Sequence, residues 1–251
     1  MAVLKLPVSA RLSLWATAAY AGRLDVAEAV ARATGDADHV SGVVAPLEVW
    51  RDLGERVVLV ALPRPGDATA VPRGNQDLVA AATEAGECVF VPGMGGALVP
   101  RAAGFGPDGD RGTSLSWVAY DSDPWPRHRV EELSVNEAEL QLRQELAERT
   151  RELDAIDGTA FASGGRAVAD LRSGGGRFGL PDGVPPRAQR TIALAAQVRV
   201  IAEVGRSPLG HTVDSHSTQE RTLVLSRLQA AAERALEVAV NVSVLTLAGW
   251  R

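Results

Sequence analysis

The sequence predicts an α+β fold, in which a small, mainly antiparallel sheet over about residues 57–120 is flanked by helices. Short apolar runs with proline or glycine boundaries, as expected for strands, are concentrated in this part of the chain. They occupy residues 57–62, 89–91, 97–99 and 115–120. A glycine-rich turn at residues 92–96 joins two of them and predicts an antiparallel hairpin. Elsewhere the apolar residues recur mainly at helical spacing.

Two helices are predicted before the sheet. Apolar residues at helical spacing indicate a helix over residues 9–21, and Asp25 with Glu28 forms an Asp-x-x-Glu start for a second helix to about residue 33. Such a pair is either a helical hairpin packed on the sheet or a helix-turn-helix. We expect the hairpin, because the second helix offers Glu28 and Arg32 but no Asn, Gln or Ser to recognise bases. A DNA-binding regulator acting through residues 9–33 is an alternative.

Further helices are predicted on both sides of the last strand. They cover about residues 46–53, 75–86, 134–156, 186–204 and 217–240. The 134–156 helix carries a narrow apolar stripe formed by Leu142, Leu146, Leu153 and Ile156. Such a stripe suits either the seam with a partner helix or the edge of a core. Residues 238–247 alternate in a strand-like way, but we expect helix because no turn residue intervenes.

The predicted organisation has three parts. Residues 1–158 form an α+β domain that ends in the long helix. Residues 159–186 form a connector, since they contain Gly164-Gly165, Gly174-Gly175-Gly176 and Pro185-Pro186. Residues 187–251 form a C-terminal helical region that packs on the first domain.

Composition favours a soluble, cytoplasmic, bacterial protein. The single cysteine excludes an intramolecular disulfide, and no window of about twenty residues is free of charge, so no membrane span is predicted. Lys5 is the only lysine, and the abundance of Arg, Ala, Gly and Val is typical of a high-GC genome. The net charge of −5 argues against non-specific nucleic-acid binding, which needs a basic surface.

One candidate metal site lies in His211-Thr-Val-Asp214-Ser-His216. Two imidazoles and a carboxylate suit Zn or another transition metal, and a His–Asp pair also suits a general base with its orienting group. The alternative is a solvated loop whose Asp and Ser residues cap the next helix. No further protein ligand beyond His211, Asp214 and His216 is identifiable.

One candidate anion site comprises Arg64, Arg73 and Arg101, each of which directly follows a proline. If the three segments meet, their guanidinium groups can bind an anion in bidentate geometry, with backbone N–H groups of Gly93, Gly95 and Gly96 nearby. The alternative is that arginine is simply the usual basic loop residue in this composition.

Four segments resemble a family of uncharacterised proteins from high-GC Gram-positive bacteria. They are Leu62-Pro-Arg-Pro-Gly-Asp67, Gly86-Glu-Cys-Val-Phe-Val-Pro-Gly93, Ala97-Leu-Val-Pro100 and Ala119-Tyr-Asp-Ser-Asp-Pro124. The resemblance covers about the central half of the chain. It implies no activity, cofactor or catalytic residue.

We expect a non-enzymatic binding or regulatory protein that contacts a protein partner or a second copy through the 134–156 helix, as in a homodimer. The alternative is an enzyme acting on a phosphorylated or other anionic small molecule. A metal ion bound at the candidate metal site could assist this enzyme. The sequence leaves catalytic activity open and identifies no cofactor.

Overall fold

The computed structural model describes residues 5–107, 111–157, 178–206 and 215–250. The chain divides into two compact units. The sheet unit comprises Leu6–Leu133, Gly179–Pro185 and Val240–Arg251, and the helical unit comprises Met1–Lys5, Ser134–Phe178 and Pro186–Ala239. The sequence places the connector at 159–186, whereas the long first segment of the sheet unit ends at Leu133.

The sheet unit contains five of the helices in the described ranges. They are α1 (Val8–Tyr20), α2 (Val26–Thr34), α3 (Val44–Asp52), α4 (Gln76–Ala85) and α5 (Arg127–Glu131). Asp25 caps α2 as its pattern predicts, since its Oδ1 accepts the N–H of Glu28 at 2.6 Å. Asn75 caps α4 in the same way, and Gly86 ends α4 in the left-handed conformation.

The sheet is mixed, which corrects the expectation of a mainly antiparallel one. Its strands are β1 (His39–Ser41), β2 (Leu59–Ala61), β3 (Cys88–Phe90), β4 (Ala97–Phe105) and β5 (Gly112–Tyr120), in the order β1-β5-β4-β3-β2. The predicted hairpin of β3 and β4 is antiparallel, but β1 runs parallel to β5. Strand β1 is exposed along its length and therefore lacks the apolar pattern that identifies a strand.

The hydrophobic core of this unit lies between α1–α3 and one face of the sheet. Helix α1 contributes Leu12, Trp15 and Ala16, and the sheet contributes Val89, Leu98 and others. The first two helices therefore form the predicted hairpin on the sheet.

Strand β2 ends the sheet on one side, and buried side chains bond its outward-facing backbone groups. Ser13 donates its hydroxyl to the C=O of Val58 at 2.6 Å, and Thr17 Oγ1 accepts the N–H of Val58 at 3.0 Å. The Asn241 side chain forms two hydrogen bonds with the backbone of Val60. Its Oδ1 accepts the Val60 N–H and its Nδ2 donates to the Val60 C=O, each at 2.9 Å. Unpaired groups on a strand edge invite pairing with another chain. These side chains close that edge.

The helical unit is built from α6 (Val135–Asp157), α7 (Pro186–Arg206) and the first part of α8 (Ser215–Leu247). Leu142 and Leu153 of the predicted stripe are buried, and Leu153 and Ile156 pack with Val224 and Leu225. The stripe therefore contributes to the core of this unit, the second of the two roles that its pattern allows. A partner contact through α6 remains a prediction.

Helix α8 continues through Leu247, as predicted for residues 238–247. Its last residues belong to the sheet unit, where Asn241 meets β2. Of the helices in the described ranges, none has both the length and the apolar character needed to cross a membrane.

Candidate functional site

Strand β4 extends beyond its neighbour on one side. It pairs with β5 along its whole length but with β3 only at Ala97 and Leu98. Within the described ranges, no strand borders β4 from Val99 to Phe105 on the β3 side. The projecting residues 101–105 are exposed. This overhang is an exposed part of the sheet that is unpaired, among the described strands, on its β3 side.

The register identifies the backbone groups that face the open side. Successive residues of a strand direct their N–H and C=O groups to opposite sides, and Gly96 faces β3 because its C=O accepts the N–H of Val91 at 3.1 Å. By this alternation Pro100, Ala102 and Gly104 also face that side. Proline has no N–H. The free edge therefore offers the N–H groups of Ala102 and Gly104 and the C=O groups of all three residues.

A cavity of about 500 Å³ adjoins this edge. Its wall combines residues of β4, of the last turns of α4 and of the start of α1. The lining residues are Val8, Ala81, Glu84, Ala85, Glu87, Pro100, Arg101, Ala102 and Leu115. Strand β4 and helix α4 thus form two sides of one groove.

The groove carries charges of both signs. Glu84 is exposed, and Glu87 Oε2 accepts the N–H of Ser9 at 2.7 Å in the first turn of α1. Arg101 Nη2 donates to the hydroxyl of Tyr120 at 3.4 Å. The charged residues along the cavity are therefore Glu84, Glu87 and Arg101.

The three arginines of the predicted anion site occupy different settings. Arg101 lines the cavity, whereas Arg64 and Arg73 are not among its lining residues. Arg64 forms an ion pair with Asp67 at 3.5 Å, within the turn that follows β2. Arg73 is exposed, and its C=O accepts the N–H of Asp123 at 2.8 Å.

Two of the three backbone donors proposed for the same anion, Gly93 and Gly96, already have partners within the chain. Glu55 accepts the N–H groups of Gly93 and Met94, the latter at 2.5 Å. The hydroxyl oxygen of Ser122 accepts the N–H of Gly96 at 2.9 Å. These bonds hold the glycine-rich turn in place.

The predicted metal site falls largely beyond the described residues. His211 and Asp214 lie outside them, and His216 lies in the first turn of α8, where its side chain is not described. In the described ranges, no group of three or more His, Cys, Asp and Glu side chains is arranged to hold a metal ion. The site at His211, Asp214 and His216 therefore remains a prediction.

Glu55 gives the sheet unit a pH-dependent stability. Burial raises the pKa of this carboxyl above its ordinary value of 4.5, against the opposing effect of the N–H bonds from Met94 and Gly93. Because this pKa is higher in the folded state than in the unfolded state, Glu55 contributes to the free energy of unfolding at low pH. The contribution is fully present at pH values below the unfolded-state pKa and is lost as the pH rises through the folded-state pKa.

We therefore predict that Glu55→Gln reduces this pH dependence. The free energy of unfolding of the wild type should fall relative to that of the variant as the pH rises from about 4 to neutrality. Urea unfolding of both proteins across that range measures the difference. Parallel pH profiles would contradict the assignment.

Sequence reasoning did not identify the open edge or the residues that close the other one. Ser13 and Thr17, which bond Val58, recur with Ser9 every four residues in a largely apolar helix, and all three are fully buried. That spacing places three hydroxyls on one helix face. It was the feature of the sequence from which bonding to a buried strand edge could have been predicted. The overhang of β4 has no corresponding sequence pattern, because it depends on where the neighbouring strand β3 ends.

Comparison with protein families matches both parts of the chain. Residues 9–132 match the N-terminal domain of Rv1486c-like proteins, and residues 136–237 match the C-terminal domain. Both domains of the chain are those of Rv1486c-like proteins. The family is named after a mycobacterial protein, which agrees with the predicted resemblance to proteins of high-GC Gram-positive bacteria. The boundary between the two matches coincides with the division of the two units after Leu133.

Comparison with curated proteins and with solved structures gives no match.

Proposed function

We propose that this Rv1486c-like protein is a non-enzymatic cytoplasmic binding protein that captures an extended polypeptide segment along the free edge of β4. One observation carries the proposal: Ala102 and Gly104, whose N–H and C=O groups point away from β5 by the register, are exposed residues beside a groove between β4 and α4. Addition of a strand to such an edge is a recurrent mode of peptide recognition.

The contrast between the two strand edges supports this role. At β2, the backbone groups of Val58 and Val60 are bonded by Ser13, Thr17 and Asn241. Exposed edges are a hazard for aggregation, and proteins ordinarily cover or blunt them. Pro100 blunts only part of the β4 edge. The edge that remains open is therefore the better candidate for a binding surface.

The composition of the groove favours a binding protein over the enzyme alternative. An enzyme acting on an anionic small molecule would bring Arg64, Arg73 and Arg101 into one pocket. Here Arg101 shares the cavity with Glu84 and Glu87, whose carboxylates would repel an anion.

Hydrogen exchange tests whether the edge is open in the free protein. We expect the amides of Ala102 and Gly104 to exchange at close to the unprotected rate, because none of the described residues accepts a hydrogen bond from them. The amides of Val58 and Val60 should exchange at least about a hundredfold more slowly, because buried side chains bond them. Amide-resolved exchange by NMR measures both sets. Equal protection of Ala102 and Val60 would contradict the proposal.

Selection of ligands tests binding itself. A displayed library of random nonapeptides is selected on the full chain and on Ala102→Pro, which removes the N–H without breaking the ladder to β5. Ala102→Val is the matched control, since it retains the N–H. We expect peptides that bind the wild type and Ala102→Val but bind Ala102→Pro about tenfold more weakly or worse. An absence of peptides sensitive to Ala102→Pro would overturn the proposed function.

A further inference from the structure

The cavity beside β4 lies on the face of the sheet that packs against α1. Ala102 is directly paired with Leu115, so the side chains of these two residues share one face. Leu115 belongs to the core beneath α1, which identifies that face. A residue added directly opposite Ala102 would place its side chain on the same face and hence at the cavity.

The walls nearest that position are apolar. Val8, Ala81, Ala85 and Leu115 present methyl and methylene groups. Burying an aliphatic side chain against such walls is favourable because it removes apolar surface from water. The small size of Ala81 and Ala85 leaves the room for it.

The α4 side of the groove carries an exposed carboxylate at Glu84. In the part of the chain that the structure describes, the Glu84 carboxylate has no ion pair. A cation on the added segment would be attracted to this side of the groove.

We infer that the segment bound at β4 carries an aliphatic residue opposite Ala102 and a Lys or Arg two positions away, on the same face of the added strand. This specificity rests on the proposed function. The period of two follows from strand geometry, since alternate residues share a face. The occupant is thus an extended, basic segment of a partner protein.

The nonapeptide library described above also tests the specificity. Among the peptides that depend on the Ala102 N–H, we expect an aliphatic residue and a basic residue separated by one position. Glu84→Lys should remove the enrichment of Lys and Arg, and Glu48→Lys is the matched control, an exposed charge reversal on α3. Ala81→Leu, which fills the cavity, should shift the aliphatic preference to alanine or glycine.

The possible outcomes separate the two claims. Loss of basic residues on Glu84→Lys but not on Glu48→Lys supports the specificity. Peptides that are sensitive to Ala102→Pro but lack a basic preference overturn the specificity and leave the proposed function standing. A dimer in sedimentation velocity that Ala102→Pro dissociates would assign the edge to a second copy and would also overturn the specificity. Melting temperatures of all variants confirm that each is folded.

Discussion

Replacing Asn241 by leucine is expected to lower the free energy of unfolding by about 3–5 kcal/mol, the largest effect that we predict for a side chain. Leucine branches at Cγ as asparagine does but is larger and has no polar atoms, so the substitution removes both hydrogen bonds and also crowds the buried site. It leaves the N–H and the C=O of Val60 without their partners in a buried setting, and each such group costs about 1–3 kcal/mol. Urea unfolding followed by circular dichroism measures the loss.

Two further variants define the origin of that loss. Asn241→Asp keeps an oxygen that accepts from the Val60 N–H but has no donor for the Val60 C=O, and it adds a buried charge; it should also be strongly destabilised. Asn136→Leu on α6 is the control, because Asn136 is exposed, and it should change stability by less than about 0.5 kcal/mol. If Asn241→Leu were as stable as Asn136→Leu, the closure of the β2 edge would not be a determinant of stability.

The second large effect is expected at Gly95, in the turn between β3 and β4. Its φ is +81°, and a Cβ built on it would lie 2.1 Å from the carbonyl oxygen of Ser122. Gly95→Ala therefore combines an unfavourable backbone conformation with a clash against backbone, which only a displacement of the turn or of the Ser122 segment can relieve. We expect a loss of about 2–4 kcal/mol in the free energy of unfolding.

Gly22→Ala separates the two contributions. Gly22 has a similar φ of +76°, but no heavy atom lies within 4 Å of its added Cβ. The cost there should be only that of the left-handed conformation, about 1–2 kcal/mol. Thermal and urea unfolding of both variants give the comparison. Equal losses would show that the contact with Ser122 adds nothing.

Local features of the sequence were sufficient to predict most of the helices. Asp25 and Asn75 are helix caps whose bonds involve residues two or three positions away. The strand at Cys88–Phe90 and the first residues of Ala97–Phe105 were also recognisable, because buried apolar runs end at a turn rich in glycine; the exposed part of the second strand beyond residue 99 was not predicted. Strand His39–Ser41 was not recognisable either, because its residues are exposed and its pairing with β5 supplies the only reason for its conformation.

The candidate site illustrates the limit of such reasoning. Arg101 was singled out because it follows a proline, and it does line the cavity, but as one charge beside Glu84 and Glu87. The neighbourhood of a side chain depends on which strands and helices pack together, and the spacing of Pro-Arg pairs contains no information about that.

The sequence by itself determined the α+β class, the helix boundaries set by caps and glycines, and the position of the β3–β4 hairpin, because these depend on propensities and hydrogen bonds within a few residues. Only the tertiary structure decided which strand edge is closed and which is open. Asn241 reaches Val60 across 181 positions of sequence, whereas β4 remains open because β3 pairs with it for only two residues. Both facts arise from contacts between distant segments, and the free energy of such contacts is a property of the assembled fold.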